Sequence, residues 1–202
     1  MNINATLEKL STMRLSGFER AYRNVTENAQ QSKFTIDELI AHLVDAEYDD
    51  KYNKKLNRLV KQARFKQQAS IEELNYQHPR GLDKNQLLQL QTCDWIHKSR
   101  DLLITGPTGV GKSFIACALG FQACINEQRV MYITANKLFD RLVYAKADGS
   151  YFKLIDGISR TKLLIIDDFG LKKIDNKQCT MLLDIIDDRH GRSSTIITSQ
   201  LP

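Results

Sequence analysis

Eight consecutive residues, Gly106-Pro107-Thr108-Gly109-Val110-Gly111-Lys112-Ser113, fit the spacing GxxxxGK[ST] between a run that reads as a strand and one that reads as a helix. The glycines let the backbone curl until its N–H groups face a phosphate, and the helix that follows adds the positive end of its dipole. Lys112 is then placed to meet the β- and γ-phosphates of a nucleoside triphosphate, and Ser113 to bind Mg²⁺ through its hydroxyl. A second apolar run, Lys162-Leu163-Leu164-Ile165-Ile166, ends in two carboxylates, Asp167 and Asp168. Parallel sheets open their ligand crevice at the carboxyl ends of strands, so Asp167 is expected to hold Mg²⁺, directly or through water. Asp168 is expected to polarise the attacking water, the step that turns binding of ATP into hydrolysis. It is one methylene shorter than the glutamate commoner at such positions, which points to slow turnover. A third run, Ser194-Thr195-Ile196-Ile197-Thr198-Ser199-Gln200, leaves its strand through polar residues. Gln200 is the candidate for sensing the γ-phosphate and the water, with Ser199 and Thr198 as alternatives.

A different chemistry is suggested between Lys51 and Lys66, where seven basic residues (51, 54, 55, 58, 61, 64, 66) occur without an acidic one. At about 100° per residue, Lys51, Lys54, Lys55, Arg58, Lys61 and Lys66 share one arc of a helix, and Tyr52, Leu56, Leu59, Val60 and Ala63 fill the opposite one. A phosphate backbone would neutralise the basic arc and release counterions. Lys51, Lys54, Lys55, Arg58 and Lys61 are therefore candidates for largely sequence-independent DNA binding, with an ordinary solvated face as the alternative. Phe65 is placed either to stack on a base or, on the commoner pattern, to pack in the core.

The elements that must position these groups fall into two textures. Up to about residue 69 the chain has no proline and, apart from Gly17, no glycine, and its apolar residues recur at helical spacing. Thr35 and Glu38 form a capping-box pattern that opens a long helix running toward Ala69, and Ser70 and Glu73 repeat the pattern. Asn75–Asp83, with Pro79 and Gly81, reads as an irregular connection. From residue 101 onward, short apolar runs at 101–105, 130–134, 162–167 and 194–199 alternate with helical stretches. That pattern predicts an α/β core with a parallel sheet. The last of the four strands is expected to insert between those carrying the glycine loop and Asp167. The expected organisation is a helical region over 1–74 and a nucleotide-binding core over 75–202.

Composition bounds the alternatives. The chain has 202 residues, 42% of them apolar and 26% charged, enough for a sizeable core and too few for a large multidomain enzyme. No run approaches the ~20 apolar residues of a membrane span, and the start MNINATLEKL has no apolar signal region, so no membrane association and a cytoplasmic location are expected. Cys93, Cys117, Cys124 and Cys179 show no metal-binding or disulfide spacing and are expected to be buried thiols, and the four histidines are scattered. A net charge of +5 permits a polyanionic partner.

The strings HPRGLDKNQLLQL, TCDWI, LLITGPTGVGKSFIACALG, ADGSY, LLIIDDFGL and DDRHGRSSTIITSQLP, with LVDAEYDDKYNKKLNRLVKQARF before them, together resemble the IstB-like transposition helper ATPases. These are encoded beside the transposase in insertion sequences, belong to the AAA+ group, and are similar to DnaC-type helicase loaders. The resemblance covers essentially the whole chain. It implies an ATP-dependent, DNA-binding homo-oligomer that recruits and stimulates a transposase, with a helicase loader as the alternative. It also implies a further strand and a small helical region past SQLP, bearing a sensor arginine and the arginine supplied to a neighbouring ATP. The core is therefore expected to be incomplete at its C-terminus, with Arg189 and Arg192 as helix-end and surface residues outside that role. Two other readings are compatible with the motif: a P-loop kinase of a small metabolite, for which no acceptor pocket or lid is legible, and a scaffold that binds nucleotide without hydrolysing it.

Overall fold

The structure, a computed structural model, describes residues 3–28, 34–76 and 81–200. The chain divides into two compact units, Met1–Asn57 and Arg58–Pro202. Residues 58–74, counted with the helical region on composition, belong structurally to the second unit because Phe65 is seated there.

The first unit contains α1 (Ile3–Thr12), α2 (Ser16–Glu27) and the greater part of α3 (Ile36–Ala63). Thr35 opens α3 through the predicted capping box: its N–H donates to Glu38 at 2.8 Å, and its hydroxyl accepts the Glu38 N–H at 3.3 Å. At the start of α2 the carboxylate of Glu47, from α3, accepts the N–H groups of Gly17 at 2.8 Å and Phe18 at 3.0 Å. These are orphan donors of a helix N-terminus, and a buried anion suits them on both hydrogen-bond and dipole grounds. Leu7, Leu10, Ala21, Val25 and Leu43 are the buried apolar residues described in this unit.

Helix α3 ends at Ala63, short of the expected Ala69, because Arg64 adopts a left-handed conformation with φ 58°. Ser70 opens only a 3-10 turn, Ile71–Glu73, with its N–H donating to Glu73 at 3.3 Å. The expected connection over 75–83 is described only in part. Pro79 lies outside the described residues, and Gly81 precedes α4 (Lys84–Gln91) and α5 (Asp94–His97).

The second unit is built on four parallel strands, β1 (Leu102–Thr105), β2 (Val130–Thr134), β3 (Leu163–Phe169) and β4 (Ser194–Ser199), in the order β1-β4-β3-β2. β4 does lie between the strand leading to the glycine loop and the strand carrying Asp167. Residues Leu163 to Ile166 are 0% exposed, as a strand covered on both faces requires. Leu164 and Ile166 face α7 (Ala135–Ala147), α8 (Tyr151–Ser159) and α9 (Asn176–Arg189) in one apolar cluster with Ile133, Leu138, Leu142, Ile158 and Ile185. The opposite face is covered by α6 (Lys112–Ile125), where a Cβ on Gly120 would come within 2.7 Å of Ile165 and 2.6 Å of the Phe65 ring. Glycine is thus required for α6 to lie against both. Phe65 also meets Tyr132 edge-on, with ring centroids 6.4 Å apart, so it packs in the core.

Two sequence expectations are corrected here. Cys93, Cys117 and Cys124 are buried, but Cys179, on the outer side of α9, is exposed. Arg189 does end α9, yet it is no surface residue: it is 2% exposed and donates to the carbonyls of Ile158, Thr161 and Ser194 and to the Thr195 hydroxyl. Burial pushes its guanidinium pKa down to about 10. Arg192 is exposed as expected. Among the described residues no helix is long and apolar enough to cross a membrane.

Candidate nucleotide site

β1 delivers the chain at Thr105 into the loop Gly106–Gly111, and α6 begins at Lys112. Gly109 and Gly111 have φ of 85° and 95°, conformations that a Cβ would strain, and Gly111 is the N-cap residue of α6. The loop therefore turns sharply and aims the helix N-terminus into its own concavity. The Lys112 ammonium lies across it, donating to the carbonyls of Gly106 at 2.7 Å and Pro107 at 2.8 Å. Beside the loop, a groove of about 260 Å³ with a mixed lining runs past Leu82, Leu87, Val110 and Ile115 and past Gln86, Thr105 and Lys112.

Ser113, one residue into α6, donates its hydroxyl to Asp167 at 2.9 Å. Asp167 is wholly buried and also accepts from the hydroxyls of Thr198 and Tyr132. Burial works against its charge, but the donors Thr198, Tyr132 and Ser113 and the nearby Lys66 ammonium outweigh it and hold the carboxyl below its ordinary pKa. Tyr132 shifts the other way, raised by burial and then by its bond to the Asp167 carboxylate, so it stays a donor. A hydroxyl and an ionised carboxylate side by side are the hard oxygen donors that Mg²⁺ takes when phosphates complete its shell, so Ser113 and Asp167 fit that ion.

Asp168 sits in a bulge. Ile166 pairs with Ile197 and Phe169 with Ser199, leaving Asp167 and Asp168 opposite the single residue Thr198. Asp168 has φ 58° and donates its backbone N–H to the Thr198 hydroxyl at 3.0 Å. The bulge breaks the alternation of the strand, so consecutive carboxylates are turned to one locality instead of opposite faces. Gln200, the leading candidate for the strand tip, lies one residue beyond β4 and is exposed; the contact to both aspartates is made by Thr198.

Two residues of the site are not identifiable as such in the sequence. Tyr132 reaches Asp167 from the adjoining strand, a partner 35 positions away. The basic spacing places Lys66 on a helical arc, but α3 has already ended, and its ammonium lies 3.4 Å from Asp168 and 3.8 Å from Asp167. The rest of that arc is on α3 with Lys51, Lys54, Arg58 and Lys61 exposed and Lys55 half-buried, while Leu59 and Ala63 on the opposite side are buried. The arc is not free of acid either. Lys51 pairs with Glu47 at 3.2 Å and Lys54 with Asp50 at 2.6 Å, both acids lying one turn earlier on the helix.

A family model described as IstB-like ATP binding protein matches residues 8–202. The chain belongs to that family. Among relatives of this IstB-like chain, a protein of Sinorhizobium fredii named as an insertion sequence ATP-binding protein is 39% identical over 202 residues, covering 100% of this chain and 82% of its own length. One from Pseudomonas fluorescens, named for insertion sequence IS1162, is 39% identical over 198 residues, covering 98% and 86%. Solved structures agree on the fold. The DnaC helicase loader superposes with a TM-score of 0.53 at 24% identity, over 62% of the IstB-like chain and 74% of that one. AMPPCP-bound DnaA from Aquifex aeolicus gives 0.60 at 17% identity, over 67% and 42%. The core is thus the P-loop AAA+ α/β fold expected from the sequence.

Proposed function

We propose that this chain binds ATP with Mg²⁺ between the Gly106–Ser113 loop and Asp167, hydrolyses it, and acts as a DNA-associated helper of insertion-sequence transposition that recruits or stimulates a transposase. The observation that carries the nucleotide reading is the Ser113–Asp167 hydrogen bond of 2.9 Å, which unites the two halves of a phosphate-and-metal site from segments 54 residues apart. In this reading the loop N–H groups and Lys112 neutralise the phosphates, and the groove beside Leu82, Leu87 and Val110 seats the base. Ser113 and Asp167 hold the metal, which when bound neutralises charge on the β- and γ-oxygens. Asp168 orients the attacking water and takes up its proton, and Thr198 keeps Asp168 in place. The transposition role is supported by relatives named for insertion sequences that match almost the whole chain. The helicase-loader alternative is supported by fold likeness alone. DNA contact along α3, and assembly into a homo-oligomer, complete the proposal.

Calorimetry with ATP and Mg²⁺ tests its base: the parent binds, and Lys112→Ala, which leaves phosphate charge facing neutral amides, binds at least tenfold more weakly, as expected for a lost charged hydrogen bond of about 1.5–3 kcal/mol. Equal affinities would overturn the nucleotide assignment. Capture of the transposase encoded alongside, and not of the replicative helicase, tests the partner.

A further inference from the structure

Lys66 belongs to the basic segment by sequence but not to α3 by structure. The helix stops at the buried Ala63, Arg64 turns the chain with φ 58°, and Phe65 is held against Gly120 and Tyr132. The next side chain then emerges at the carboxyl end of β3. There its ammonium stands 3.4 Å from Oδ2 of Asp168 and 3.8 Å from Oδ2 of Asp167. Asp167 is closed to solvent, and its other partners, Ser113, Thr198 and Tyr132, contribute hydrogen bonds but no positive charge. Lys66 supplies that charge. Its own side chain is 51% exposed, so the ammonium has a route to solvent while Phe65 stays packed.

We propose that Lys66 is the resident counter-ion of the Asp167–Asp168 pair, and that a divalent cation arriving with the nucleotide must displace it. This rests on the reading of the site given above. A dication held by Ser113 and Asp167 would lie within a few ångströms of the ammonium, and two cations cannot both be stabilised there by the same carboxylates. Lys66 therefore weakens metal binding in the nucleotide-free protein, where only the two carboxylates and Ser113 are on offer. With nucleotide present, phosphate oxygens add to the metal's ligands and the balance turns against the lysine. The exchange also carries the state of the site to a side chain three residues past the end of α3.

The test uses Mn²⁺ without nucleotide, followed by electron paramagnetic resonance of the free ion, and separately the Mg²⁺ concentration needed for half-maximal ATP binding. Lys66→Met should bind Mn²⁺ about twofold to fivefold more tightly than the parent, the range of a partly exposed ion pair. It should also need correspondingly less Mg²⁺, while Lys66→Arg behaves as the parent and Asp167→Asn added to Lys66→Met removes the gain. Lys66→Gln replaces the methionine variant if that one does not fold. Unchanged or weaker Mn²⁺ binding by the neutral variant would overturn the proposal, weaker binding making Lys66 a support of the metal's shell instead. If neither protein binds ATP yet the neutral variant gains Mn²⁺ affinity, the nucleotide reading fails and the counter-ion stands. If both bind ATP with the same Mg²⁺ requirement and the same Mn²⁺ affinity, the reverse holds.

Discussion

The backbone N–H of Asp168 donates to the hydroxyl of Thr198 across 3.0 Å, and the same hydroxyl donates to the carboxylate of Asp167. One side chain on the central strand β4 thus fixes both consecutive aspartates of β3. The bond stands where the ladder is interrupted, since the bulge removes a regular backbone partner from the Asp168 N–H.

Replacing Thr198 by valine keeps the shape and deletes both bonds. An N–H left unpaired in a part-buried place costs about 1–3 kcal/mol, and Asp168 loses its anchor. Thr198→Val is expected to lower the urea midpoint and to slow phosphate release while retaining ATP binding at the separate glycine loop, with Thr198→Ser restoring the midpoint and the release rate. Unimpaired phosphate release by the valine variant would place the ordering of Asp168 elsewhere.

The two aspartates are expected to separate binding from chemistry. Asp168→Asn preserves size and leaves the Ser113–Asp167 pair intact, so calorimetry should find ATP bound about as by the parent while phosphate release drops by roughly a hundredfold to ten-thousandfold. Asp167→Asn removes the buried charge beside Ser113 and should weaken binding only where Mg²⁺ is present. Equal phosphate release by Asp168→Asn and parent would assign the water to another residue.

What was legible in the sequence was what is local. The glycine loop needs a strand before it and a helix after it, and all three are written in consecutive residues; the four strands follow from apolar runs of the right length. The place of β4 follows from the P-loop pattern. Contacts made across the sheet were not legible: Tyr132 to Asp167 depends on parallel register, where Thr134 pairs with Asp167 and Tyr132 lies two residues back on the same face. Lys66 was misplaced because the basic spacing continues past Ala63, whereas the helix is ended by a left-handed Arg64, a conformation no residue type there announces. Arg189 was read as a surface residue because nothing in its neighbourhood shows that carbonyls from residues 158, 161 and 194 converge on it.

In the helical unit, Glu47 gives a pH dependence with a definite sign. Burial works against its charge, but the N–H groups of Phe18 and Gly17 and the Lys51 ammonium hold its pKa below the ordinary 4.5. A group whose pKa is depressed by folding stabilises above its unfolded value and loses that contribution as pH falls through the folded one. Stability from this residue should therefore be complete above about pH 5 and fade below about pH 4. Glu47→Gln should cost about 1 kcal/mol at neutral pH and flatten the acid limb of the denaturation midpoint. A parallel acid limb in the variant would assign it to other carboxylates.

The ion pairs of α3 sharpen the expectation for DNA. Lys51 and Lys54 are held by Glu47 and Asp50, so phosphate contacts there would replace existing partners, and the net release of counterions should be small. Arg58 and Lys61 are exposed and make no ion pair among the described residues, so phosphate contacts there would register in full. Substituting both by alanine should weaken binding to all duplexes alike and make the slope of log affinity against log salt shallower by about two units, roughly one per lost phosphate contact. Substituting Lys51 and Lys54 should change the slope less and lower the stability of the helical unit, because Glu47 loses the Lys51 ammonium and Asp50 is left with Arg20 as its cation. The Arg58 and Lys61 variant should bind ATP as the parent does, since both residues lie on α3 while the glycine loop joins β1 to α6. An unchanged salt slope in that variant would mark this face of α3 as solvated surface, and equal slope changes in the two double variants would mean that Glu47 and Asp50 release their lysines to the phosphates at no cost.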